Sequence, residues 1–570
     1  MGSIGVTKQY SVPSEARTVL REGILQNPKI ASLLPAGTAD FVDRITFTGN
    51  DAPSIPINWR FAESAAALKG LEACMVAQLV KRKYNIDISS ASINTDHASL
   101  YFMSTLIWSF VDGSQMSLLS SNKHLDKYFP NYDFHKMSSS LYRMATTNIY
   151  QTKDAKYFHL HGSMNPEPSL DSIGLLHDGP SKDWEEAMKP FMERMSQIES
   201  AEMQRLASDV YKQAGVICES VESFRQTEHG KANAHVALFE VHDAPNPKQP
   251  ASWWPDTPQT SAQRPLAGLK VVDITRVIAA PAVTRGLAEL GASVMRITSK
   301  NVCDFSALHC DLSWGKWNCS IDLKTEEGRT QLAELIKDAD VVVQGYRPDV
   351  LDKYGFSQQG IIDLVKDRPR GIISARENCY GWNGPWYYRS GWQQISDACV
   401  GISESFGRAM GLKNGEAVTP VFPNSDYMTG IAGVAGILTA IMRRAEQGGS
   451  YKVDLSLNYY NQWLAESCGE YPEDVWQDVW QRNGKQVFSN MNQTIPAYLK
   501  MIEENSSDIV FNPKFFEERD SKALDVKIRT VKPIVSYPGD EVKLGYNVGT
   551  RGNGKDAPKW PSDLMTEIVS

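Results

Sequence analysis

From residue 269 onward, short apolar runs alternate with segments of helical periodicity. The predicted strands are LKVVDIT (269–275), ASVMRIT (292–298), DVVVQGY (340–346) and RGIISAR (370–376). Between them, residues 281–291 and 325–340 carry apolar side chains at helical spacing. Runs that are apolar on both faces are typical of buried parallel strands, and alternation with helices indicates a doubly wound α/β sheet. Because no GxGxxG follows the first strand, we predict a Rossmann-like parallel sheet that does not bind NAD.

Four further parts are expected around this sheet domain. Residues 246–266 are rich in Pro, Ser and Thr and show no regular periodicity, which indicates a linker. The predicted division is 1–115 for a degenerate partial repeat of the large domain, 116–245 for a smaller α+β domain, 246–266 for the linker, 267–475 for the Rossmann-like domain and 476–570 for a C-terminal extension packed on it.

An internal repeat is the reason for the first of these assignments. A long helix rich in small residues, a break, a strand and a helix occupy residues 425–464, and the same order recurs at residues 63–102. In this comparison Ser64 takes the place of Asp426, so the first copy lacks that carboxylate. The small residues of GIAGVAG (430–436) let another backbone approach closely. We therefore expect the two halves to pack as a pseudo-pair or the protein to form a homodimer.

The composition excludes several classes of protein. With 59 Lys and Arg against 67 Asp and Glu, the net charge is −8, which leaves no surplus of positive charge for nucleic acid. No run of eighteen apolar residues predicts a membrane span, and the first seventeen residues lack the apolar core of a signal peptide. The eight cysteines form no CxxC pair. We expect a cytoplasmic protein, with other intracellular compartments open, that has reduced thiols and no metal, membrane or nucleic-acid partner.

Asp426 is the first candidate for chemistry. It stands in PNSDYMTG, where the unpaired N–H groups and the dipole at the start of a helix stabilise a carboxylate. Two interpretations stay open at this point. Asp426, Ser425 or Asn424 caps the helix, or Asp426 is a catalytic carboxylate.

Candidate ligand-binding residues follow the predicted strands. The first strand runs into DITRVIAAP (273–281), where small residues and a proline precede a helix, a typical ligand position in open α/β sheets. Basic side chains at such strand ends suit a polyphosphate ligand, although they are also common on a solvated rim. These basic residues are Lys300, Lys316, Lys324, Arg347 and Lys353.

Histidine is scarce in the second half of the chain. Only His309 lies beyond residue 242, so a histidine partner for Asp426 would be His309 or a residue of the first half such as His161. His159 and His161 lie two apart on a predicted strand and share a face. They could hold a metal ion, but no third ligand is indicated, and two half-buried polar residues are the alternative.

Residues 265–464 resemble the class III CoA-transferase family, the CaiB/BaiF group. This group includes formyl-CoA transferase, carnitine CoA-transferase and the α-methylacyl-CoA racemases. The matching segments occur in family order: PLAGLKVVDITRVIAAPAVTRGLAELGASVMRI, CSIDLKTEEGRTQLAELIKDADVVVQGYRPDVLDKYGF and NSDYMTGIAGVAGILTAIMRRAEQGGSYKVDLSL.

The resemblance implies a site for CoA or acyl-CoA as substrate and a nucleophilic aspartate at Asp426. In the transferases this aspartate becomes a mixed anhydride with the donor acyl group and then an aspartyl–CoA thioester. Where the family has an arginine after the second strand, this chain has Ser299 and then Lys300. The implied CoA contacts are Arg276, Val277, Ala279, Lys300, Ile321, Lys324, Gly345, Tyr346 and Lys353.

Three functions remain open on the sequence. The first is CoA transfer between carboxylic acids through Asp426. The second is an isomerase, epimerase or lyase in which Asp426 shuttles a proton, although Trp392 stands where the racemases of the family carry their histidine. The third is a catalytically retired CoA-binding or scaffold protein, which the partial first copy would suit.

Overall fold

The computed structural model describes residues 10–112, 125–491 and 494–567. Residues 1–9, which belong to the segment interpreted as lacking a signal-peptide core, lie outside the described residues. The N-terminal region contains α1 (Val12–Thr18), α2 (Pro28–Ala31), β1 (Ile45–Thr48), α3 (Phe61–Tyr84), β2 (Ala91–Asn94), α4 (Thr95–Tyr101) and β3 (Ser109–Phe110).

A smaller mixed region follows in the chain. Its elements are α5 (Leu125–Tyr128), α6 (Leu141–Met144), β4 (Asn148–Gln151), β5 (Tyr157–Leu160), α7 (Glu167–Ser172), α8 (Trp184–Met195), α9 (Ser200–Gln204), β6 (Gly215–Ile217), α10 (Val221–Gln226), α11 (Glu228–Asn233) and β7 (Glu240–Ala244). Strands β4, β5 and β6 form an antiparallel sheet. Phe158, Leu160 and Phe191 belong to a separate apolar cluster there.

Strands and helices alternate through the central region. Its elements are β8 (Lys270–Ile274), α12 (Ala279–Glu289), β9 (Ser293–Thr298), α13 (His309–Leu312), β10 (Lys316–Ser320), α14 (Glu326–Asp338), β11 (Val341–Gln344), α15 (Gln358–Leu364), β12 (Ile373–Asn378), α16 (Gln393–Val400), α17 (Ile402–Ala409), α18 (Asn424–Gln447), β13 (Ser450–Ser456) and α19 (Leu457–Trp463). All four strands predicted from apolar runs are present, each within a few residues of its expected bounds.

Seven strands form one sheet in the order β10-β9-β8-β11-β12-β13-β7. Strands β8 to β13 are parallel to one another, and the first of them lies beside the fourth. Strand β7 precedes the linker and pairs antiparallel with β13. The expected purely parallel sheet is therefore wrong at this edge, and the sheet is mixed. An antiparallel strand at the edge of a parallel sheet is common, because a strand there needs no crossover helix.

The sequence suggested that Lys316 is a basic side chain beyond the end of a strand, and this expectation is wrong. Lys316 opens β10 and is 1% exposed. Its Nζ lies 3.0 Å from a carboxylate oxygen of Asp273 on β8 and donates a hydrogen bond of 2.9 Å to the Pro281 carbonyl. A charged residue inside a strand interrupts the run of apolar residues by which a buried strand is predicted, so β10 was not predicted. Here the opposite charge on a neighbouring element compensates its burial.

Helix α18 lies in the core and packs against α12 and α3. A Cβ atom added at Gly430 would lie 2.6 Å from the Cβ of Ala282 on α12, so the small-residue face is covered within the chain. By length and composition alone α18 is long and apolar enough to cross a membrane, and 94% of its most apolar 18-residue stretch is buried inside the protein. Contact between α3 and α18 brings the two halves of the chain together.

The C-terminal region covers the outer edge of the sheet. Its elements are α20 (Glu473–Arg482), α21 (Thr494–Asn505), α22 (Ser507–Val510), β14 (Phe516–Ser521), β15 (Val526–Val531) and β16 (Val535–Ser536). Beyond them, the Asp556 amide donates to the Asn318 carbonyl of β10 at 2.8 Å, and the Gly315 amide donates to the Val548 carbonyl at 2.9 Å. Covering an edge strand in this way prevents its unpaired groups from pairing with another chain.

The contact between α12 and α18 predicts the effect of a larger side chain at Gly430. Gly430→Val should lower the free energy of unfolding by about 1–3 kcal/mol, because overpacking a tight core forces its helices apart. Gly552→Val is the control, since a Cβ there meets nothing within 4 Å. Urea unfolding followed by circular dichroism measures both variants. Equal midpoints for the two would contradict the tight contact.

Candidate active site

A cavity of about 270 Å³ opens at the carboxyl ends of β8 and β11. These two strands are neighbours, and the chain leaves them toward opposite halves of the sheet. Open α/β sheets bind ligands in the crevice at such a switch point, because the loops diverge there. The loop after β8, the loop after β11, the end of β12 and the start of α18 all line this cavity.

Five of the nine expected CoA-contact residues line the cavity, namely Arg276, Val277, Ala279, Gly345 and Tyr346. Arg276 donates to the Cys303 carbonyl at 2.7 Å, and its guanidinium lies 5.3 Å from the centre of the Tyr346 ring. Val277 has a φ of 72°. A β-branched residue in the left-handed region costs about 1–3 kcal/mol, and such strain is concentrated at binding loops.

The other four expected contacts lie elsewhere. Lys300, Lys324 and Lys353 are exposed on the surface. Ile321 is buried in the apolar cluster that packs α14 on the sheet, so its side chain is committed to the core. Among the described residues that line the cavity, none of these four occurs.

Asp426 is the third residue of α18, is 8% exposed and lines the cavity. The residue that precedes this helix is Pro423, and within the described chain no side chain caps the helix start. The interpretation of Asp426, Ser425 or Asn424 as a cap is therefore wrong. Asn424 instead donates to the Tyr460 hydroxyl at 2.7 Å. Asp426 makes no side-chain hydrogen bond to any described residue, so its carboxyl group is available to a ligand.

Three carboxyl groups meet around this point. Burial raises the pKa of Asp426 well above its ordinary value, and the nearby carboxylates of Glu377 and Asp397 raise it further. Glu377 is the last residue but one of β12, lines the same cavity, and has its pKa raised to about 8 by burial. Burial also raises the pKa of Asp397 to about 7, although Asn461 donates a hydrogen bond of 2.9 Å to it. Like charges this close in a dry site cannot all ionise, so one carboxylate can coexist with a protonated neighbour.

The two histidines proposed as partners of Asp426 are engaged elsewhere. His309 Nε2 lies 3.1 Å from Asp304 and 3.2 Å from Arg296, and His309 is outside the described lining of the cavity. His161 contacts the Gln394 side-chain oxygen through Nε2 at 3.2 Å, and its Nδ1 accepts the Ser163 amide at 2.8 Å. Both nitrogens of His161 are therefore engaged, whereas His309 Nδ1 has no hydrogen-bond partner in the described chain but belongs to a residue that does not line the cavity.

His161 serves to support Trp392. The two rings stack with centres 5.3 Å apart, and Trp392 lines the cavity where the racemases of the resembling family have their histidine. Burial lowers the pKa of His161 to about 3, so the ring is neutral.

The His159 ring contacts the Leu160 carbonyl at 2.9 Å, which argues against a metal ion held by His159 and His161 on this strand.

Within the described chain, one group of side chains has the geometry of a metal site. It consists of Glu240, His242 and Asp454. Asp454 already forms an ion pair with Arg376 at 2.7 Å, and Glu240 accepts a hydrogen bond of 2.6 Å from Tyr459. Both carboxylates are thus bound within the protein, and the group lies outside the cavity described above.

Several cavity residues were not expected from the sequence. Glu377 and Arg389 line it from the central region, and His135, Ser163 and Gln213 line it from the region before the linker. Arg389 is 8% exposed, and its Nε and Nη1 have no hydrogen-bond partner among the described residues. The alternation of side chains along β12 is the signal that could have found Glu377, because it places Arg376 and Glu377 on opposite faces.

The raised pKa of Glu377 predicts how stability depends on pH. The folded protein keeps this proton up to about pH 8, whereas the unfolded chain ionises near the ordinary value of 4.5. The contribution of Glu377 to stability is therefore lost as the pH rises between these values. Glu377→Gln should be more stable than the wild type, by a margin that grows from about pH 5 to about pH 8.

Urea unfolding at both pH values measures this margin. Glu193→Gln, at an exposed position of α8, is the control and should show no such trend. A Glu377→Gln margin that stays constant with pH would contradict the assignment.

Comparison with known proteins identifies the family. The family model described as CoA-transferase family III matches residues 266–495. Acetyl-coenzyme A transferase nodX of Hypoxylon pulicicidum is 48% identical over 98% of this chain and 95% of its own length. An acyl-CoA transferase of Gibberella moniliformis is 29% identical over 95% of this chain and 94% of its own length.

Other relatives match a smaller part of the chain. The β subunit of succinyl-CoA–L-malate CoA-transferase from Chloroflexus aurantiacus is 34% identical over 35% of this chain and 50% of its own length. A crystal structure of a CaiB/BaiF family protein from Brucella suis is 26% identical over 35% of this chain and 55% of its own, with a TM-score of 0.30. The resemblance found in the sequence is confirmed, and the protein is an enzyme that belongs to CoA-transferase family III.

Proposed function

We propose that the protein transfers CoA between carboxylic acids through a covalent intermediate on Asp426. The observation that carries this proposal is the placement of Asp426, which is buried, has no partner among the described residues and lines the cavity at the switch point of the sheet. A desolvated carboxylate without hydrogen bonds is a stronger nucleophile than one in water. The named CoA-transferase relatives support transfer over the isomerase and scaffold alternatives.

The exchange proceeds in two steps at one carboxylate. An Asp426 oxygen attacks the thioester carbonyl, the carbon–sulfur bond breaks, and a mixed anhydride forms with release of CoA. The CoA sulfur then attacks the Asp426 carbonyl and releases the first acid, which leaves an aspartyl–CoA thioester. The second acid repeats both steps in reverse order and departs as the new acyl-CoA. The relative named acetyl-coenzyme A transferase makes acetyl-CoA the first donor to test.

The CoA molecule follows the crevice of the Rossmann-like sheet in this proposal. Its thioester end enters the cavity between Val277 and Tyr346, and its polyphosphate extends toward exposed lysines such as Lys324 and Lys353. Charged hydrogen bonds from lysine to phosphate suit this arrangement. We also propose that the protein is a homodimer, which sedimentation velocity tests, and that it is cytoplasmic, which cell fractionation tests.

Charge reversal tests where the polyphosphate lies. Lys324→Glu and Lys353→Glu should each weaken CoA binding about tenfold or more, since a charge-assisted contact contributes about 1.5–3 kcal/mol. Isothermal titration with free CoA measures this. Lys189→Glu, at an exposed position of α8, is the matched control. Unchanged affinity in both variants would place the nucleotide elsewhere.

Asp426→Asn tests the nucleophile. It keeps the shape of the side chain but removes the attacking oxygen anion, so the variant should remain folded and lose several orders of magnitude in turnover. Mass spectrometry after incubation with acetyl-CoA should find an adduct on Asp426 of the wild type and none on the variant. Ser64→Ala, at the corresponding position of the first half, should leave turnover unchanged. A stable Asp426→Asn protein with near-normal turnover would overturn the proposal.

A further inference from the structure

Glu377 lines the same cavity as Asp426, although the two-step exchange on Asp426 does not by itself require a second carboxyl group. It is the fifth residue of β12, and the strand directs Arg376 to the opposite face, where it pairs with Asp454 at 2.7 Å. Glu377 makes no side-chain hydrogen bond to a described residue. A carboxyl group left unpaired in a partly buried site destabilises the fold, so its retention points to a role with the ligand.

We propose that Glu377 is the general acid and base of the transfer, giving its proton to the CoA sulfur when the thioester breaks and taking it back when the sulfur attacks. This inference rests on the proposed function, because it concerns the leaving group of the same reaction. It adds a second catalytic residue, beside Asp426, that contacts the reacting atoms.

The proton balance of the first step shows what Glu377 contributes. As an Asp426 oxygen bonds to the acyl carbon, the sulfur leaves with the electron pair of the carbon–sulfur bond. The carboxyl proton of Glu377 moves to that sulfur, which yields a CoA thiol and a Glu377 carboxylate. In the second step the carboxylate removes the thiol proton as sulfur attacks the Asp426 carbonyl and the first acid leaves as an anion. Each complete exchange therefore returns Glu377 to its starting state.

The raised pKa of Glu377, about 8, supports this role. A thiol has an ordinary pKa of about 8.5, so proton transfer between the two groups is nearly balanced in both directions. At neutral pH Glu377 holds its proton, so it adds no negative charge beside Asp426, whose own pKa is raised well above its ordinary value by burial. An ordinary glutamate would be ionised and would repel both Asp426 and the departing thiolate.

The other charged or titratable groups at the cavity suit this task less well. Arg276 and Arg347 donate to backbone carbonyls at 2.7 and 2.9 Å, and guanidinium groups do not release protons near neutral pH. Burial raises the pKa of the Cys379 thiol well above its usual range. Asp397 faces Asp426 from α16, but Asn461 and Gln393 already donate to it. The remaining groups of this kind in the lining are His135, Cys303, Tyr346 and Arg389.

The first half-reaction tests the proposal in the intact enzyme. Wild type, Glu377→Gln and Glu377→Asp are mixed with acetyl-CoA, and rapid quenching with a thiol reagent and mass spectrometry follows CoA release and the Asp426 adduct. Glu377→Gln should form the adduct about 10²–10⁴-fold more slowly, as expected when general acid catalysis is lost. Glu377→Asp should recover part of the rate because it restores an acid.

The pH profile separates a chemical role from a structural one. The wild-type rate of adduct formation should fall above about pH 8, where Glu377 loses its proton, and this limb should be absent in Glu377→Gln. Glu416→Gln is the matched control, because burial also raises the pKa of Glu416, which lies outside the described lining of the cavity. It should keep both the wild-type rate and the wild-type profile.

Each outcome decides a different claim. If the wild type forms the adduct and Glu377→Gln forms it equally fast with the same profile, Glu377 is not the acid, and the proposed function stands. If the wild type forms no adduct with acetyl-CoA or with longer acyl-CoA donors, the proposed function falls, and the role of Glu377 falls with it.

Discussion

The contact between α12 and α18 is the interaction on which the site depends. Helix α12 begins at the carboxyl end of β8, so its first residues are a wall of the cavity, and its next turns receive the glycine face of α18. Because the two helices touch through Gly430 and Ala282 rather than through long side chains, their separation is fixed within a narrow range. Asp426 lies one turn before Gly430 on α18. The packing of α18 against α12 therefore also fixes the position of the Asp426 carboxyl group relative to the carboxyl end of the sheet.

The site concentrates features that reduce stability. Val277 holds a left-handed backbone conformation, Glu377 and Asp426 are carboxyl groups without hydrogen-bond partners in the described chain, and Arg389 has two unpaired nitrogens. Elsewhere in the core, buried charges are paired, as between Lys316 and Asp273. A protein retains such costs where a ligand offsets them. These four residues come from segments that are far apart in the sequence, yet all of them line one cavity. Their convergence supports the assignment of the active site independently of the family match.

The sequence could predict most of the sheet but only part of the site. Strands β8, β9, β11 and β12 are apolar runs, and their order along the chain already implies the crevice after β8. Strand β10 was not predicted because Lys316 and Asn318 give it a polar pattern. Strand β7 was not predicted as part of this sheet because it precedes the linker in the chain. Among the site residues, those near Arg276 and Gly345 follow from strand ends. Ser163 and Gln213 reach the cavity through tertiary packing, which no local pattern reveals.

The first half of the chain has a serine at the position that corresponds to Asp426 in the suggested repeat. This residue, Ser64, donates to the Phe61 carbonyl at 2.9 Å and lies 2.9 Å from the Tyr460 hydroxyl. That hydroxyl also accepts the side-chain amide of Asn424, two residues before Asp426. A charged aspartate at position 64 would be buried in this chain of hydrogen bonds at a large cost. Serine instead completes this hydrogen-bond network without a buried charge, which accounts for the absence of a carboxylate at this position of the first half.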